Sequence, residues 1–479
     1  MPVTVDYFQD WKERESLAES MIPLIGRLYR RHQIVTSIYG RSLINRSVID
    51  LLKTHKFVRQ IEDSELSVRD TLPVLEALVD MNLSPARIDI GKLAVGYRRE
   101  GDGLSLIDYI SGQLKDVLDN KDTGSGLGQD VVLYGFGRIG RLMARILIGR
   151  AGGGSGLNLR AIVVRPGGGS HDIEKRASLL RRDSIHGSFR GTISIDEENQ
   201  VIVANGIKIQ VIYAKSPDTI DYTDYGISNA VIIDNTGIWR DEEGLSQHLQ
   251  SKGVDRVLLT APGKNEIKNV VYGVNHSVIS RSDKLISAAS CTTNAITPVL
   301  KALNDRFGVE NGHVETVHSY TNDQNLIDNY HKGERRGRGA ALNMVITETG
   351  AAKAVAKALP ELKGKLTGNA IRVPTPNVSL AILNLNLKQT ITVEALNEFL
   401  RETSLYSELQ KQIDYVNSPE VVSSDFVGSH SAGVVDGQAT IVDDKRCVLY
   451  VWYDNEYGYS SQVNRILQYM CGVMHPTYP

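Results

Sequence analysis

The chain has 479 residues, of which 41% are apolar, so it is long enough for several globular domains and too apolar for wholesale disorder. Its 54 basic and 56 acidic residues give a formal net charge of −2, which excludes a basic surface for nucleic acid or for an anionic membrane. Three cysteines, no apolar signal segment and no run of about 18 apolar residues that would span a bilayer predict a cytoplasmic protein without a disulfide framework, and no metal site is predicted.

The N-terminal region, residues 1–125, is predicted to be a mostly helical extension of about five helices. Apolar residues repeat there at three- and four-residue spacing, which puts one stripe on a helix. The clearest stripe is Leu17, Met21, Leu24 and Leu28. Ser84-Pro85 is typical of a helix start. The small and polar residues at 120–128 predict a linker, and the extension carries no chemical motif that would identify its partner.

Beyond the linker, the pattern changes from helical stripes to short, largely apolar runs. These runs are Val131–Tyr134, Leu159–Val164, Val231–Ile233 and Val257–Leu259. The segments between them are long enough for helices, which predicts a doubly wound parallel sheet over residues 126–290, completed by a C-terminal helix at 459–475. Longer alternating stretches in residues 291–458 predict an α+β catalytic domain with a largely antiparallel sheet. The predicted fold class is therefore α/β, preceded by a helical extension.

The first apolar run leads directly into a glycine-rich motif of the form GxGxxG. Its residues are Gly135, Phe136, Gly137, Arg138, Ile139 and Gly140, and an amphipathic segment follows them. Between a strand and a helix, the glycines allow a tight turn, the close approach of a pyrophosphate and close packing of helix on strand. The free N–H groups of the helix N-terminus also favour phosphate. We predict a Rossmann-type, dinucleotide-binding domain; the alternative is a glycine turn needed only for packing.

The end of the second predicted strand bears on which dinucleotide is bound. NAD sites usually carry an Asp or Glu there for the ribose hydroxyls, but this strand ends in Val164-Arg165 and the next carboxylate is Asp172. Arg165 or Ser170 could hold a 2′-phosphate, since guanidinium pairs well with phosphate. We hypothesise that NADP is accepted alongside NAD, with a preference for NADP left open. In the alternative, Arg165 only covers the surface.

A candidate nucleophile follows another apolar strand. Cys291 stands where a helix is predicted to begin, and a helix N-terminus lowers the pKa of a thiol and can stabilise an oxyanion. Cys447 and Cys471 are interpreted as inert buried thiols. Of the 11 histidines, His318 on an apparent strand before a polar loop is the best-placed candidate base. The residue pattern alone therefore indicates a dinucleotide site with a candidate Cys/His pair.

Six segments between about residues 130 and 475, in unbroken order, resemble the glyceraldehyde-3-phosphate dehydrogenase family. They are Gly135–Arg141, Asp183–Gly187, the nucleophile segment Ala289–Asn294, Thr349–Val355, Leu366–Ser379 and Trp452–Ser460. The common form of the family lacks residues like 1–125, so the chain resembles a long form with an N-terminal extension. Ala295 stands where many members carry a second cysteine.

The resemblance implies a phosphorylating aldehyde dehydrogenase that uses NAD or NADP to convert glyceraldehyde 3-phosphate and inorganic phosphate into 1,3-bisphosphoglycerate. By that resemblance, Cys291 attacks the aldehyde, and His318 activates the thiol and assists hydride departure. The resulting thioester keeps the oxidation energy until phosphate attacks it. A homotetramer is also implied. The residues expected near the cofactor are Thr236, Gly237, Asn455 and Tyr459.

Two phosphate pockets are implied as well. Thr321 and Arg372 match the pocket for the phosphate of the substrate. The residues that match the pocket for the attacking phosphate are Ser290, Thr292, Arg336, Thr349 and Gly350. Arginine, hydroxyl and backbone N–H groups suit phosphate oxygens, although helix capping is the alternative role of the two threonines in this second set.

Two other functions stay open. Erythrose-4-phosphate dehydrogenase shares the thiol and the base, whereas Thr321 matches the enzyme for the three-carbon sugar. A regulatory or scaffold protein that acts through the extension would be expected to have lost its site, yet Cys291, His318 and Arg372 are present. Whether an enzyme of this kind would serve glycolysis or gluconeogenesis is not predicted.

Overall fold

The structure is a computed structural model, and it describes residues 6–62, 65–118, 128–153, 156–167, 169 and 171–479. The predicted linker at 120–128 lies outside the described residues except for Gly128, and Ser170 lies outside them too. In the described ranges, no helix combines the length and the apolar character that crossing a membrane requires.

The described ranges contain the following helices and strands. The α-helices are α1 (Tyr7–His32), α2 (Val48–Phe57), α3 (Val68–Asp80), α4 (Ile90–Glu100), α5 (Leu106–Gln113), α6 (Arg138–Arg150), α7 (Asp172–Arg181), α8 (Glu242–Leu249), α9 (Cys291–Phe307), α10 (Ala351–Ala358), α11 (Val393–Tyr406) and α12 (Tyr457–Cys471). The strands are β1 (Ile34–Ile38), β2 (Arg41–Ser42), β3 (Ala86–Asp89), β4 (Gln129–Tyr134), β5 (Leu157–Val164), β6 (Ile193–Asp196), β7 (Val201–Ala204), β8 (Ile207–Tyr213), β9 (Ala230–Asp234), β10 (Val254–Leu259), β11 (Lys268–Asn269), β12 (Leu285–Ser287), β13 (Val309–Ser319), β14 (Val345–Glu348), β15 (Leu366–Val373), β16 (Ser379–Leu387), β17 (Ile413–Val416), β18 (Gly433–Asp436), β19 (Ile441–Asp443), β20 (Arg446–Tyr453) and β21 (Thr477–Tyr478).

The first compact unit comprises the described residues within 1–127, 150–156 and 473–479. It contains α1 to α5, so the predicted helical character of the N-terminal region is confirmed. It also contains a sheet of order β2-β1-β3-β21, in which β1 and β21 both run parallel to β3. The sequence did not predict this sheet, because such short strands have no readable periodicity and β21 comes from the other end of the chain.

One prediction in this unit is wrong, namely the helix start at Ser84-Pro85. Strand β3 follows these residues instead, and its Ile88 is fully buried. Helix α4 begins only after β3, where Asp89 caps it by accepting a hydrogen bond from the Lys92 N–H at 3.0 Å. Pairing in the sheet, together with this cap, outweighs the local proline signal.

The second compact unit comprises residues 128–149 and 157–472 and contains two sheets. The order of the first sheet is β11-β12-β10-β9-β4-β5-β8-β7-β6, parallel except for the antiparallel pairs β6/β7 and β7/β8. The chain runs outward from β4 through β5 and β8, and then returns to β9 on the other side of β4. In such a sheet the ligand crevice lies at the carboxyl ends of the strands, beside this switch point. The predicted Rossmann-type sheet is confirmed.

The second sheet has the order β14-β15-β13-β16-β20-β18-β17, with β19 beside β20. It is antiparallel except for the pairs β13/β15 and β17/β18, so the predicted, largely antiparallel sheet is confirmed. Helix α9 packs against β13, β16, β18 and β20, and its Ile296 and Leu300 are fully buried in the core. The register of β13 and β15 pairs His318 directly with Arg372.

The C-terminal helix differs from its predicted bounds of 459–475. Helix α12 covers Tyr457–Cys471, and it ends there because Gly472 adopts φ 66°, the left-handed conformation that terminates many helices. The residues after it, 473–479, belong to the first compact unit, where β21 extends the small sheet.

Candidate active site

Cys291 and His318 come together at the start of α9. Ser290 caps this helix by accepting a hydrogen bond from the Thr293 N–H at 3.1 Å, and Cys291 is its first residue. His318, near the end of β13, brings its Nε2 to 3.5 Å from Cys291 Sγ. This distance is a hydrogen bond for a sulfur atom, so the candidate nucleophile and the candidate base meet directly.

Contacts on the far side of the His318 ring decide which nitrogen faces the thiol as a base. His318 Nδ1 lies 2.7 Å from the carbonyl oxygen of Ser319 and 2.9 Å from Arg372 Nη1. Arg372 Nη1 also donates to that carbonyl, at 2.9 Å. We therefore assign the ring proton to Nδ1, which then donates to the same oxygen, with Arg372 as a close cationic neighbour. In this tautomer the lone pair of Nε2 faces Cys291.

Burial and charge set the protonation of this pair. Burial, with the positive charges of Arg372 and Arg336, lowers the pKa of His318 to about 3. Burial also raises the pKa of the Cys291 thiol, an effect that the charge of Arg372 and nearby helix N–H groups oppose. Both shifts favour a neutral thiol beside a neutral imidazole in the resting pair, with the Nε2 lone pair facing the thiol.

Arg372 and Thr321, both predicted to hold the phosphate of a substrate, lie next to His318. Arg372 Nη1 is 3.4 Å from Thr321 Oγ1, and Thr321 donates in turn to the carboxylate of Asp323. The Nε of Arg372 is buried and has no hydrogen-bond partner among the described residues. A buried guanidinium N–H without an acceptor is costly, so this position favours an anionic ligand that supplies one.

Ser290 and Thr292, both predicted to contact the attacking phosphate, flank Cys291 in different ways. Ser290 uses its hydroxyl as the helix cap. The Thr292 hydroxyl is buried and lies 2.9 Å from the hydroxyl of Tyr453, which is also 2.7 Å from Thr316 Oγ1. Because its side chain is already engaged, Thr292 presents mainly its backbone N–H, one of the free donors of the first helical turn.

Thr349, Gly350 and Arg336 complete the set predicted for the attacking phosphate. The Thr349 hydroxyl accepts a hydrogen bond from the Ala351 N–H at 3.2 Å, at the start of α10, where Gly350 is the N-cap residue. Within the described residues, no side-chain hydrogen bond links Thr349 to Cys291. Arg336 Nη1 is ion-paired with Asp323 Oδ2 at 2.5 Å. The buried Nε of Arg336 has no hydrogen-bond partner in the described part of the chain. Arg336 thus keeps a donor for an anion.

A cavity of about 400 Å³ opens at the carboxyl ends of β4, β5 and β9. Its position beside the switch point and its size are those of a ligand site in a doubly wound sheet. None of the described residues that line it is a carboxylate. The lining includes Gly135, Phe136, Gly137, Arg165, Thr236 and Trp239.

The glycines of the motif differ in what a side chain would meet. A Cβ on Gly137 would have no protein atom within 4 Å, so this edge of the cavity is an open cradle. A Cβ on Gly140 would lie 2.3 Å from the backbone oxygen of Gly135, which shows how closely α6 packs on the turn after β4. The fit agrees with the predicted division of roles, in which one glycine admits a pyrophosphate and another allows helix packing.

We expect Gly137→Ala to fold normally and to lose dinucleotide affinity by roughly tenfold or more, because the methyl group occupies the cradle. Gly140→Ala is the matched control, and it should instead lower the free energy of unfolding by about 1–3 kcal/mol through overpacking. Thermal unfolding and calorimetric titration with NAD and NADP measure the two effects. Wild-type affinity in Gly137→Ala would show that no ligand approaches this glycine.

Arg138 was predicted to contact the cofactor, but its side chain is engaged elsewhere. Its guanidinium is ion-paired with both Asp183 and Glu456. Arg138 is the first residue of α6, so its backbone N–H, like that of Ile139, is what remains to bind a phosphate. The sequence could not show this, because the two carboxylates are remote from Arg138 in the chain.

The turn after β9 presents Thr236 and Gly237 at the carboxyl end of the sheet. The N–H and hydroxyl of Thr236 both donate to Asp234 Oδ1, at 2.7 and 2.6 Å. The buried Asp234 is held in turn by His248 Nε2 at 3.1 Å. Gly237 adopts φ 63°, which glycine allows without strain. Thr236 lines the cavity, on a turn that the carboxylate of Asp234 holds in place. The sequence had not indicated this role of Asp234.

Asn455 and Tyr459 lie at the start of α12 and are both buried. Asn455 Oδ1 accepts a hydrogen bond from Ser379 Oγ at 2.8 Å, whereas its Nδ2 makes none among the described residues. The Nδ2 group of Asn455 is therefore held in one orientation and can donate a hydrogen bond, for example to the carbonyl oxygen of a carboxamide. The Tyr459 hydroxyl donates to the carbonyl of Ala289 at 2.8 Å and so holds the turn that precedes the nucleophile.

Comparisons with known proteins were consistent over the second compact unit. Residues 129–242 match the family model of the glyceraldehyde 3-phosphate dehydrogenase NAD binding domain, and residues 290–455 match that of the C-terminal domain. A glyceraldehyde-3-phosphate dehydrogenase-like protein of Pseudomonas aeruginosa is 63% identical over 461 residues, 96% of this chain and 100% of that protein. Such an alignment includes most of the N-terminal region. Glyceraldehyde-3-phosphate dehydrogenase 2 of Nostoc sp. is 40% identical and the enzyme of Zymomonas mobilis 38%, each over 70% of this chain and 96% of the relative.

Proposed function

The chain belongs to the glyceraldehyde-3-phosphate dehydrogenase family, and we propose that it oxidises glyceraldehyde 3-phosphate, with a nicotinamide dinucleotide and inorganic phosphate, to 1,3-bisphosphoglycerate. The observation that carries this proposal is the Cys291–His318 pair, whose Sγ and Nε2 atoms are 3.5 Å apart. Arg372 lies beside the pair, and its Nε has no hydrogen-bond partner among the described residues. A thiol with a neutral base suits acyl transfer, and the arginine suits a phosphate-bearing substrate. Phosphate-dependent formation of reduced nicotinamide is the direct test.

The oxidation step uses Cys291 as nucleophile and His318 as base. His318 Nε2 takes the thiol proton while sulfur forms a bond to the aldehyde carbon, and it then returns that proton to the oxygen, giving a hemithioacetal. Helix N–H groups at the start of α9 stabilise the negative oxygen in between. His318 removes the hydroxyl proton again as hydride leaves the carbon, and a thioester remains. The nicotinamide cofactor, when bound, supplies the acceptor for that hydride.

The second step transfers the acyl group from sulfur to phosphate. A phosphate oxygen bonds to the thioester carbon, the carbon–sulfur bond breaks, and the acyl phosphate leaves. Cys291 recovers a proton from the imidazolium of His318 and returns to its resting state. Arg336 and the N–H of Thr292 supply donors that suit the attacking phosphate.

For the cofactor we propose that NADP is accepted as well as NAD. Arg165 lines the cavity, is exposed and makes no ion pair with a carboxylate in the described ranges. Asp172, the nearest acidic residue along the chain, is bonded to Arg176 at 2.6 Å, so it is committed to that partner. A cationic end of the cavity without a free carboxylate does not repel a 2′-phosphate.

We expect Arg165→Ala to weaken NADP binding by roughly tenfold or more while leaving NAD binding nearly unchanged, because one charge-assisted contact is lost. Arg182→Ala, an exposed arginine that does not line the cavity, is the matched control. Calorimetric titration with each nucleotide gives the dissociation constants. Equal losses for NAD and NADP, or no loss for either, would mean that Arg165 does not contact a 2′-phosphate.

We also propose a homotetramer that acts in the cytoplasm. Large apolar side chains are exposed on the segment after β13, including Leu326, Tyr330 and Leu342, and such exposure suits association with further copies. The cysteines are all free, which agrees with a reducing compartment. The first compact unit carries no residue of the proposed chemistry and is proposed to be a separate interaction module.

A further inference from the structure

A cluster of charged side chains surrounds His186, in a segment that the proposed chemistry leaves unused. We call Arg138, Asp183, His186, Asp454 and Glu456 the His186 cluster. The side chains of His186, Asp183 and Asp454 are 5%, 4% and 0% exposed. Arg138 is the first residue of α6 and lies within the dinucleotide motif, whereas Asp454 and Glu456 are the two neighbours of Asn455 in the chain. The cluster thus spans both regions predicted to hold the cofactor.

The two ring nitrogens of His186 face different partners. Its Nε2 lies 3.1 Å from Asp454 Oδ2, and its Nδ1 lies 3.3 Å from Arg138 Nη2. Because a carboxylate can only accept, Nε2 donates to Asp454, and Asn377 Nδ2 lies 3.3 Å from the same nitrogen. The other groups that face the ring are the carboxylates of Asp183 and Glu456, 3.5 and 3.7 Å from Nδ1, and the side chains of Asn377 and Tyr457. His186 therefore bridges Arg138 and Asp454.

Asp454 holds the backbone around Asn455 in one conformation by hydrogen bonds. Its Oδ1 accepts hydrogen bonds from the Glu456 and Tyr457 N–H groups at 2.9 and 2.8 Å, and its Oδ2 accepts one from the Gly428 N–H at 2.7 Å. The turn that contains Asn455 is therefore built around this one carboxylate. Burial opposes its charge, whereas His186 and the N–H donors more than compensate, so that the pKa of Asp454 lies below its usual range.

We infer that His186 is a positioning residue for the nicotinamide end of the cofactor, acting through Asp454 on the amide of Asn455. The proposed reaction does not use His186 itself, because among the described residues it makes no hydrogen bond to Cys291 and is not one of the residues that line the cavity. Its effect is to couple the start of α6 to the segment that carries Asn455. This inference rests on the proposed function, since it concerns how the chain holds a nicotinamide dinucleotide.

Two substitutions separate positioning from simple structural support. The amide of an asparagine reaches about as far as Nδ1 of a histidine, and that of a glutamine about as far as Nε2. His186→Gln can keep the bond to Asp454, whereas His186→Asn keeps a group near Arg138 and loses Asp454. His55→Asn is the matched control for removing a buried histidine, since His55 is 3% exposed and bonded at 2.8 and 2.7 Å on its two nitrogens.

The experiment is calorimetric titration of the full-length chain and its variants with NAD and NADP, without substrate, together with thermal unfolding of each. We expect His186→Asn to raise the dissociation constant by roughly tenfold, and His186→Gln to stay within about threefold of wild type. His55→Asn should lower the unfolding temperature and leave the dissociation constant unchanged. In steady state, His186→Asn should raise KM for the dinucleotide more than it lowers kcat.

The outcomes also separate this inference from the proposed function. Wild-type protein that binds neither dinucleotide would overturn both. Wild-type protein that binds, with His186→Asn and His186→Gln weakened equally or not at all, would overturn the positioning role of His186 alone. Loss of affinity in His55→Asn would mean that removing any buried histidine produces the effect, which would also overturn the inference.

Discussion

Cys291→Ala is expected to abolish turnover, with a loss of at least about 10³-fold in kcat, because no thioester can form without the thiol. Dinucleotide binding and thermal unfolding should stay close to wild type, since the cavity lining does not include Cys291. The loss should therefore lie in the chemical step rather than in KM for the dinucleotide. Steady-state kinetics and calorimetric titration on the same preparation make this distinction.

Cys471→Ala is the control for Cys291, because burial raises the pKa of Cys471 to about 11 and, unlike Cys291, it has no histidine base bonded to it among the described residues. It should retain full activity. Iodoacetamide followed by mass spectrometry should label Cys291 first and abolish activity in proportion to that label. Substantial turnover in Cys291→Ala, or inactivation that follows labelling of Cys471, would contradict the assigned nucleophile.

His318→Asn is expected to lower kcat by about 10²- to 10⁴-fold, the usual contribution of a general base. His313→Asn is a matched control on the same strand, since His313 makes hydrogen bonds at 2.9 and 2.7 Å to Thr367 and Asn369 and does not contact Cys291. It should leave kcat unchanged. Equal losses in the two variants would assign the effect to the strand rather than to the base.

The pH dependence of thiol alkylation tests the protonation of the pair. With its pKa lowered to about 3, the His318 imidazole is unprotonated near neutral pH. The plot of alkylation rate against pH should therefore show no inflection from His318 in that range. The raised pKa of Cys291 means that the alkylation rate should rise with pH through the ionisation of the thiol. His318→Asn should slow alkylation at neutral pH. A limb between pH about 6 and 7 that vanishes in His318→Asn would show a titrating imidazole and contradict this assignment.

Local sequence patterns predicted the elements that carry the site. The strand before Gly135, the helix after it and the helix start at Cys291 follow from glycine spacing and apolar runs, and the structure contains all three. His318 was chosen among 11 histidines for its place on an apparent strand before a polar loop, but no local pattern places β13 beside α9, so its role beside Cys291 came from the resemblance. The pairing of His318 with Arg372 follows from the strand register, which single-sequence patterns do not define.

The features that were missed depend on residues far apart in the chain. The ion pairs that engage Arg138, the hydroxyl of Tyr453 on Thr292 and the contact of His186 with Asp454 all join separate elements. The small sheet of the first compact unit was missed because its strands are short and one comes from the C-terminus. Tertiary packing, rather than local propensity, decides such contacts.

The most direct test of the central claim follows the absorbance of reduced nicotinamide in purified full-length protein given glyceraldehyde 3-phosphate, with NAD and NADP in parallel and with or without inorganic phosphate. We predict turnover that requires phosphate and is absent in Cys291→Ala. Erythrose 4-phosphate in a parallel reaction should be the poorer substrate. Folded protein that binds a dinucleotide yet forms no reduced nicotinamide from glyceraldehyde 3-phosphate would contradict the proposed function.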